Sequence, residues 1–229
     1  MNETLDPRVA VQLERLGLEP DRPLIICDAD EVLFAFMAGF APYHERMGHY
    51  FAWQAYQLSG HVRRRDNDQP IDDEAIDALL AGYWDEAAEA MGLVPEAPEA
   101  LRALSRHAGV VILTNVPFEH HERRIRTLAR HDLGYPTIAN AGPKGPAVRW
   151  LAERAGRPAF FIDDSPRHHR SVAAHAGEVI RLHFVGDARL AALSPTAQDC
   201  HHRTDSWAEA RAVIEAALAR AGVVPAETA

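Results

Sequence analysis

The chain has 229 residues, 47% of them apolar and 25% charged, with a formal net charge of −9. A surplus of acid argues against a nucleic-acid partner, which needs a basic face, yet a small anion can still bind where a site is locally positive. Cys27 and Cys200 cannot build a disulfide framework or a paired zinc motif, the run MNETLDPRVAVQLERL lacks a signal core, and no apolar stretch reaches membrane length; the expectation is a cytoplasmic protein without a membrane partner.

Asp6 and Pro7 predict the start of a short helix that Gly17 can end, with Val9, Leu13 and Leu16 on one face. Next comes PLIIC, a continuous apolar run over 23–27 that stops at Asp28. Such a run suits a strand buried on both faces, as in a parallel sheet. Residues 34–94 hold no strand run and are rich in aromatics. A stripe from Ile76 through Leu79, Tyr83 and Ala87 to Met91 predicts helix, which Gly82 can divide in two, and the arginine-rich segment 63–70 reads as a loop. Beyond it, apolar runs end at Thr114, Asp163 and His183, with a weaker run at 137–139. Helical faces fall between them, at Ala97–Leu101–Leu104 and Val148–Leu151–Ala155. A last helix begins near Asp205–Ser206, and the tail past Gly222 is expected to fray. Strand–helix alternation with buried strands implies a doubly wound, mainly parallel α/β sheet, with core 1–33 and 95–229 and a helical insert 34–94.

Ligands of open α/β sheets bind beyond the carboxyl ends of the strands. The first strand delivers Asp28 and Asp30 there, the second Thr114 and Asn115, and a later one Asp163 and Asp164; a preceding loop supplies Lys144. Carboxylates at that density cannot all ionise without a cation, and oxygen donors select Mg²⁺. A metal and a lysine would let one carboxylate approach phosphorus, which points to phosphoryl transfer through an aspartyl-phosphate.

These motifs resemble the haloacid dehalogenase superfamily of hydrolases. The match comprises LIICDADEVL, VILTN, the lysine of GPKGPAV and FFIDDSP, in order over residues 24–166, with the insert at the place of the family's helical cap. The resemblance implies that Asp28 is the nucleophile and a metal ligand. It makes Asp30 the general acid and then base, with its backbone carbonyl on the metal. Thr114 and Asn115 would face the phosphoryl group, Lys144 would screen charge, and Asp164, supported by Asp163, would complete the metal site. A small phosphoester substrate follows, with oligomeric state open. Glu31 after the second Asp, and His168–His169 where longer motifs carry another acid, depart from the pattern. Ser165 is expected to cap the following helix. His120–His121, His168–His169 and the triplet Arg63–Arg65 are secondary candidates for substrate contact. A phosphomutase shares all these motifs, and a non-catalytic binding protein is the alternative from another class. Dehalogenation fits less well, because it needs neither Asp30 nor an acidic pair.

Overall fold

A computed structural model describes residues 4–223. Along the chain run α1 (Pro7–Glu14), β1 (Pro23–Cys27), α2 (Phe36–Arg46), β2 (His49–Phe51), β3 (Val62–Arg64), α3 (Asp73–Glu86), α4 (Ala97–Leu104), β4 (Gly109–Thr114), α5 (His121–Arg130), β5 (Thr137–Ala139), α6 (Gly145–Ala152), β6 (Gly156–Asp163), α7 (Pro166–His175), β7 (Ile180–Phe184), α8 (Ala188–Leu193), β8 (His202–Thr204) and α9 (Trp207–Arg220). Six parallel strands form one sheet in the order β5-β4-β1-β6-β7-β8.

Every residue of β1 is buried, because both faces of the sheet are covered. Ile25 and Cys27 point into one apolar cluster with α4, α9 and the insert, while Leu24 and Ile26 point into a second with α1, α6 and α7. Register then decides where the polar residues emerge. Cys27 lies beside Ile112 of β4 and Ile162 of β6. One step on, Asp28 is therefore level with Asp163, and Thr114 ends the neighbouring strand one residue higher. The Asp28 amide fixes this alignment by donating to the Ile162 carbonyl at 2.9 Å.

The insert departs from the all-helical expectation. Between α2 and α3 lies an antiparallel hairpin, β2 with β3, which takes up Arg63 and Arg64 of the expected loop. These strands are too short to show an apolar period. Helix α3 runs through Gly82 unbroken; a Cβ there would lie 2.5 Å from the Tyr43 hydroxyl, so the glycine serves close packing. Strand β8 was also not anticipated, since HRT at a sheet edge carries no apolar run. Asp6 caps α1 as expected, accepting from Arg8 N, and α9 begins at the expected place, with Ser206 as its cap accepting from Glu209 N. Ser165 stands at the start of α7 without a side-chain cap bond; Asp163 Oδ1 accepts from Ser165 N instead, at 2.9 Å. Among the described residues no helix is long and apolar enough to cross a membrane. The tail expected to fray lies, from residue 224, outside the described residues.

Trp207, wholly buried, donates from its indole N–H to the Val32 carbonyl at 2.8 Å, tying α9 to the turn after β1. Trp207→Phe should cost about 1–3 kcal/mol by orphaning a buried carbonyl, read from urea unfolding. Burial pushes the His44 imidazole of α2 down to about 4. Because His44 is neutral when folded but protonates below about 6.5 when unfolded, stability should fall as pH drops from about 6.5 toward 4. His44→Phe should flatten that part of the curve, measured by thermal melts across the range.

Candidate active site

Lys144 immediately precedes α6 and is completely buried. Its ammonium lies 2.7 Å from Asp28 Oδ1 and 2.7 Å from Asp163 Oδ2. Asp28 Oδ1 also accepts from the Ala29 amide at 2.7 Å. One oxygen from each of Asp28, Asp163 and Asp164 lies within 4.8 Å of the others. Residues that the chain separates by more than a hundred positions thus share one edge of the sheet, at the switch point where β1 lies between β4 and β6.

The electrostatics follow from burial. Desolvation pushes the Asp28 carboxyl up to about 7; Lys144 opposes the shift, and Asp163 and Asp30 add to it. Burial, with Asp28 next, also drives Asp164 well above the usual carboxylate range. Desolvation would raise Asp163 too, but Lys144 and the nearby imidazoles outweigh it and hold its carboxyl low. For Lys144 itself, burial favours the neutral form, yet Asp163 and Asp28 keep its pKa above the ordinary value. One lysine therefore does not offset three ionised carboxylates, and two of the three are pushed toward their neutral forms unless a further cation is present. Three oxygen donors and unbalanced charge fit a hard divalent cation such as Mg²⁺.

The remaining expected residues divide. Thr114 is buried, and its hydroxyl has no hydrogen-bond partner in the protein. Asn115 serves the loop: its amide donates to Gly142 O at 2.9 Å and its carbonyl accepts from Asn140 Nδ2 at 2.9 Å. The Asp30 carboxylate stands outside the triad and accepts from Arg124 Nη2 at 2.8 Å. Glu31 adopts a left-handed backbone (φ 59°) and turns to the start of α2, where its Oε1 accepts from Met37 N at 2.6 Å. Burial pushes the Glu31 carboxyl up to about 7. His169 and His183 brace the acidic pair from behind, donating from Nε2 to the carbonyls of Asp163 (2.9 Å) and Asp164 (2.8 Å). His120 stacks on Trp84 and His121 donates to Thr137 O. Arg63 and Arg65 are engaged within the insert, by Asp68 and Glu45.

Two contacts had no separate sequence signal. Tyr56 of the insert donates its hydroxyl to Asp164 Oδ2. Arg124 of α5 reaches Asp30; the one available hint was its helical spacing with Thr127 and Leu128, which puts an arginine on the buried face.

No family model and no curated protein matches the chain. Solved structures do. A predicted phosphoglycolate phosphatase from Haemophilus somnus superposes with a TM-score of 0.58 at 13% identity, covering 86% of this chain and 100% of that one. A β-phosphoglucomutase assigned in Thermotoga maritima gives 0.55 at 15% identity, over 85% and 99%. The HAD-hydrolase YfnB from Bacillus subtilis, bound to magnesium, gives 0.54 at 13% identity, also over 85% and 99%. The chain has the α/β fold of the haloacid dehalogenase-like hydrolases.

Proposed function

We propose that the protein is a Mg²⁺-dependent phosphohydrolase that cleaves a small phosphorylated metabolite through an aspartyl-phosphate on Asp28. One observation carries this reading: Lys144 and Ala29 N occupy Asp28 Oδ1, while among the described residues no protein donor bonds its other oxygen. A carboxylate held by one oxygen presents the second in a fixed direction, which is what a nucleophile requires. Asp28, Asp163 and Asp164, with the Asp30 carbonyl, would hold the metal. Bound there, Mg²⁺ supplies positive charge that offsets the anionic phosphoryl group.

The protein's own groups account for the proton and bond changes. Asp28 Oδ2 attacks phosphorus as the bond to the leaving oxygen breaks, and Asp30 gives that oxygen a proton. Water then attacks the phosphoryl group, yields a proton to Asp30, and free phosphate departs with Asp28 restored. Thr114, whose buried hydroxyl lacks a partner, donates to the phosphoryl oxygens, and Lys144 favours the ionised form of Asp28 against the effect of burial. Arg124 Nη2 donates to Asp30 Oδ1, so substrate binding must alter that contact to free the carboxyl for the leaving oxygen. The insert acts as the cap, and the reach of Tyr56 to Asp164 supports a pocket too confined for a macromolecule.

Asp28→Asn should lower turnover of a phosphomonoester roughly 10³-fold or more with the fold retained, followed by phosphate release and circular dichroism. Chelation should abolish activity and added Mg²⁺ restore it; phosphate release that persists in EDTA would overturn the metal assignment. Screening phosphorylated metabolites for phosphate release and isomer formation together separates hydrolysis from phosphoryl return. Lys144→Met leaves two buried acids facing no cation and should destabilise by about 3–5 kcal/mol, measured by denaturant titration.

A further inference from the structure

Segment 52–61 joins β2 to β3 and holds neither helix nor strand. It touches polar groups of the α/β body at two points. At one, the Tyr56 hydroxyl donates to Asp164 Oδ2. At the other, the Arg189 guanidinium of α8 lies over the Trp53 ring, 3.9 Å from its centroid.

The second point is firmly built. Asp187 holds Arg189 by both carboxylate oxygens, at 3.1 Å to Nε and 2.6 Å to Nη2, and itself caps α8. The residue before it, Gly186, donates to Glu31 O at 3.0 Å, so this anchor stands on the reactive turn. Trp53 meets Phe51 edge-on at 5.0 Å. Its backbone is left-handed (φ 39°), a conformation that a bulky residue keeps only where its surroundings dictate it. Tyr56 and Leu58 pack against the larger apolar cluster, and His61 N and Val62 N both bond the Leu58 carbonyl, which closes the far end of the segment. The Tyr56 hydroxyl is therefore presented by a braced loop.

Its acceptor is the triad member that lacks other support. Lys144 and Ala29 N orient Asp28, and Lys144 and Ser165 N orient Asp163. Lys144 does not pair with Asp164, and no other side chain among the described residues donates to that carboxylate. A ligating carboxylate meets a metal with one oxygen while the other accepts a hydrogen bond, and that bond fixes its direction. We infer that Tyr56 is a positioning residue for the metal site: by holding Asp164 Oδ2 it sets the carboxylate for a divalent cation, so cation binding and docking of segment 52–61 strengthen one another. The inference rests on the proposed function only in taking Asp164 as a Mg²⁺ ligand. Reciprocity follows from linkage: the factor by which the docked phenol tightens the metal is the factor by which the metal stabilises docking.

The test is binding, without turnover. Calorimetric titration with Mg²⁺ alone should give a Kd about tenfold weaker for Tyr56→Phe, which loses only the hydroxyl, than for wild type. Saturating Mg²⁺ should slow amide exchange of segment 52–61 in wild type by a similar factor and leave it unchanged in Tyr56→Phe. Should Tyr56→Phe fail to fold, Trp53→Leu decides: it frees the other anchor with Tyr56 and every acid in place, and should weaken Mg²⁺ binding by about threefold or more. An unchanged Kd in the deciding variant overturns the inference. So does a tighter one, which makes the phenol a competitor of the cation, and so does wild-type exchange that Mg²⁺ fails to slow. Absence of Mg²⁺ binding in wild type overturns the inference and the metal assignment together. The reaction is read apart, as Mg²⁺-dependent phosphate release from phosphorylated metabolites. Tyr56-dependent Mg²⁺ binding without release defeats the phosphohydrolase and spares the inference, whereas release with equal Kd values defeats the inference alone.

Discussion

The arrangement depends on one ammonium group wedged between two carboxylates at the end of a sheet. Lys144 has no exposure, and each of the acids it touches would be costly to bury unpaired, by several kcal/mol per ion. Adjacent register of β1 and β6 brings the acids level, and α6 delivers the lysine from the side. Its height is set by the approach of α6 to α7: a Cβ on Gly145 would meet the Ser171 carbonyl at 2.4 Å, so only glycine lets the helix start so close. Behind the acids, His169 and His183 hold the carbonyls, and His183 is itself held by Ala197 N and Arg203. The charges at the front are thus carried on a frame of directional hydrogen bonds.

The insert is joined to this frame through polar and aromatic contacts as well as apolar packing. Helix α5 grips the end of α3 through Arg123, and Arg130 reaches Glu89 just beyond at 2.5 Å. Elsewhere Tyr56 meets Asp164, and Arg189 of α8 lies 3.9 Å over the Trp53 ring. The aromatic residues of the segment divide accordingly. Tyr83 packs on Phe40 and Tyr43 within the insert, in an apolar cluster continuous with that of the sheet, whereas Trp53, Tyr56 and Trp84 meet polar or charged groups of the α/β body.

The central strands could be read directly because burial on both faces demands unbroken apolar runs, and each such run ended at a polar residue. Asp28, Thr114 and Asp163 were found that way, and the expected lysine meets two of them. What escaped reading lacked that pressure. Strand β8 lies at the sheet edge, where His202 is exposed, and the hairpin of β2 and β3 has only three residues a side. Gly82 carried the signature of a helix break, but its role is contact with Tyr43, a partner nearly forty residues away. The pairing of Arg124 with Asp30 is likewise a matter of tertiary approach: nothing near Asp30 in the chain foretells which of many arginines will reach it.

The indole of Trp207 also makes the reactive turn dependent on the far end of the chain. The turn that follows the proposed nucleophile borrows its anchor from a helix about 175 residues downstream. Other contacts hold the same segment from elsewhere, Gly186 N at the Glu31 carbonyl and Arg124 at Asp30, but the Val32 carbonyl has its donor in that last helix. A chain cut short ahead of α9 would leave that buried carbonyl without its donor, so the turn beside Asp30 and Glu31 is completed only by a residue from the far end of the fold.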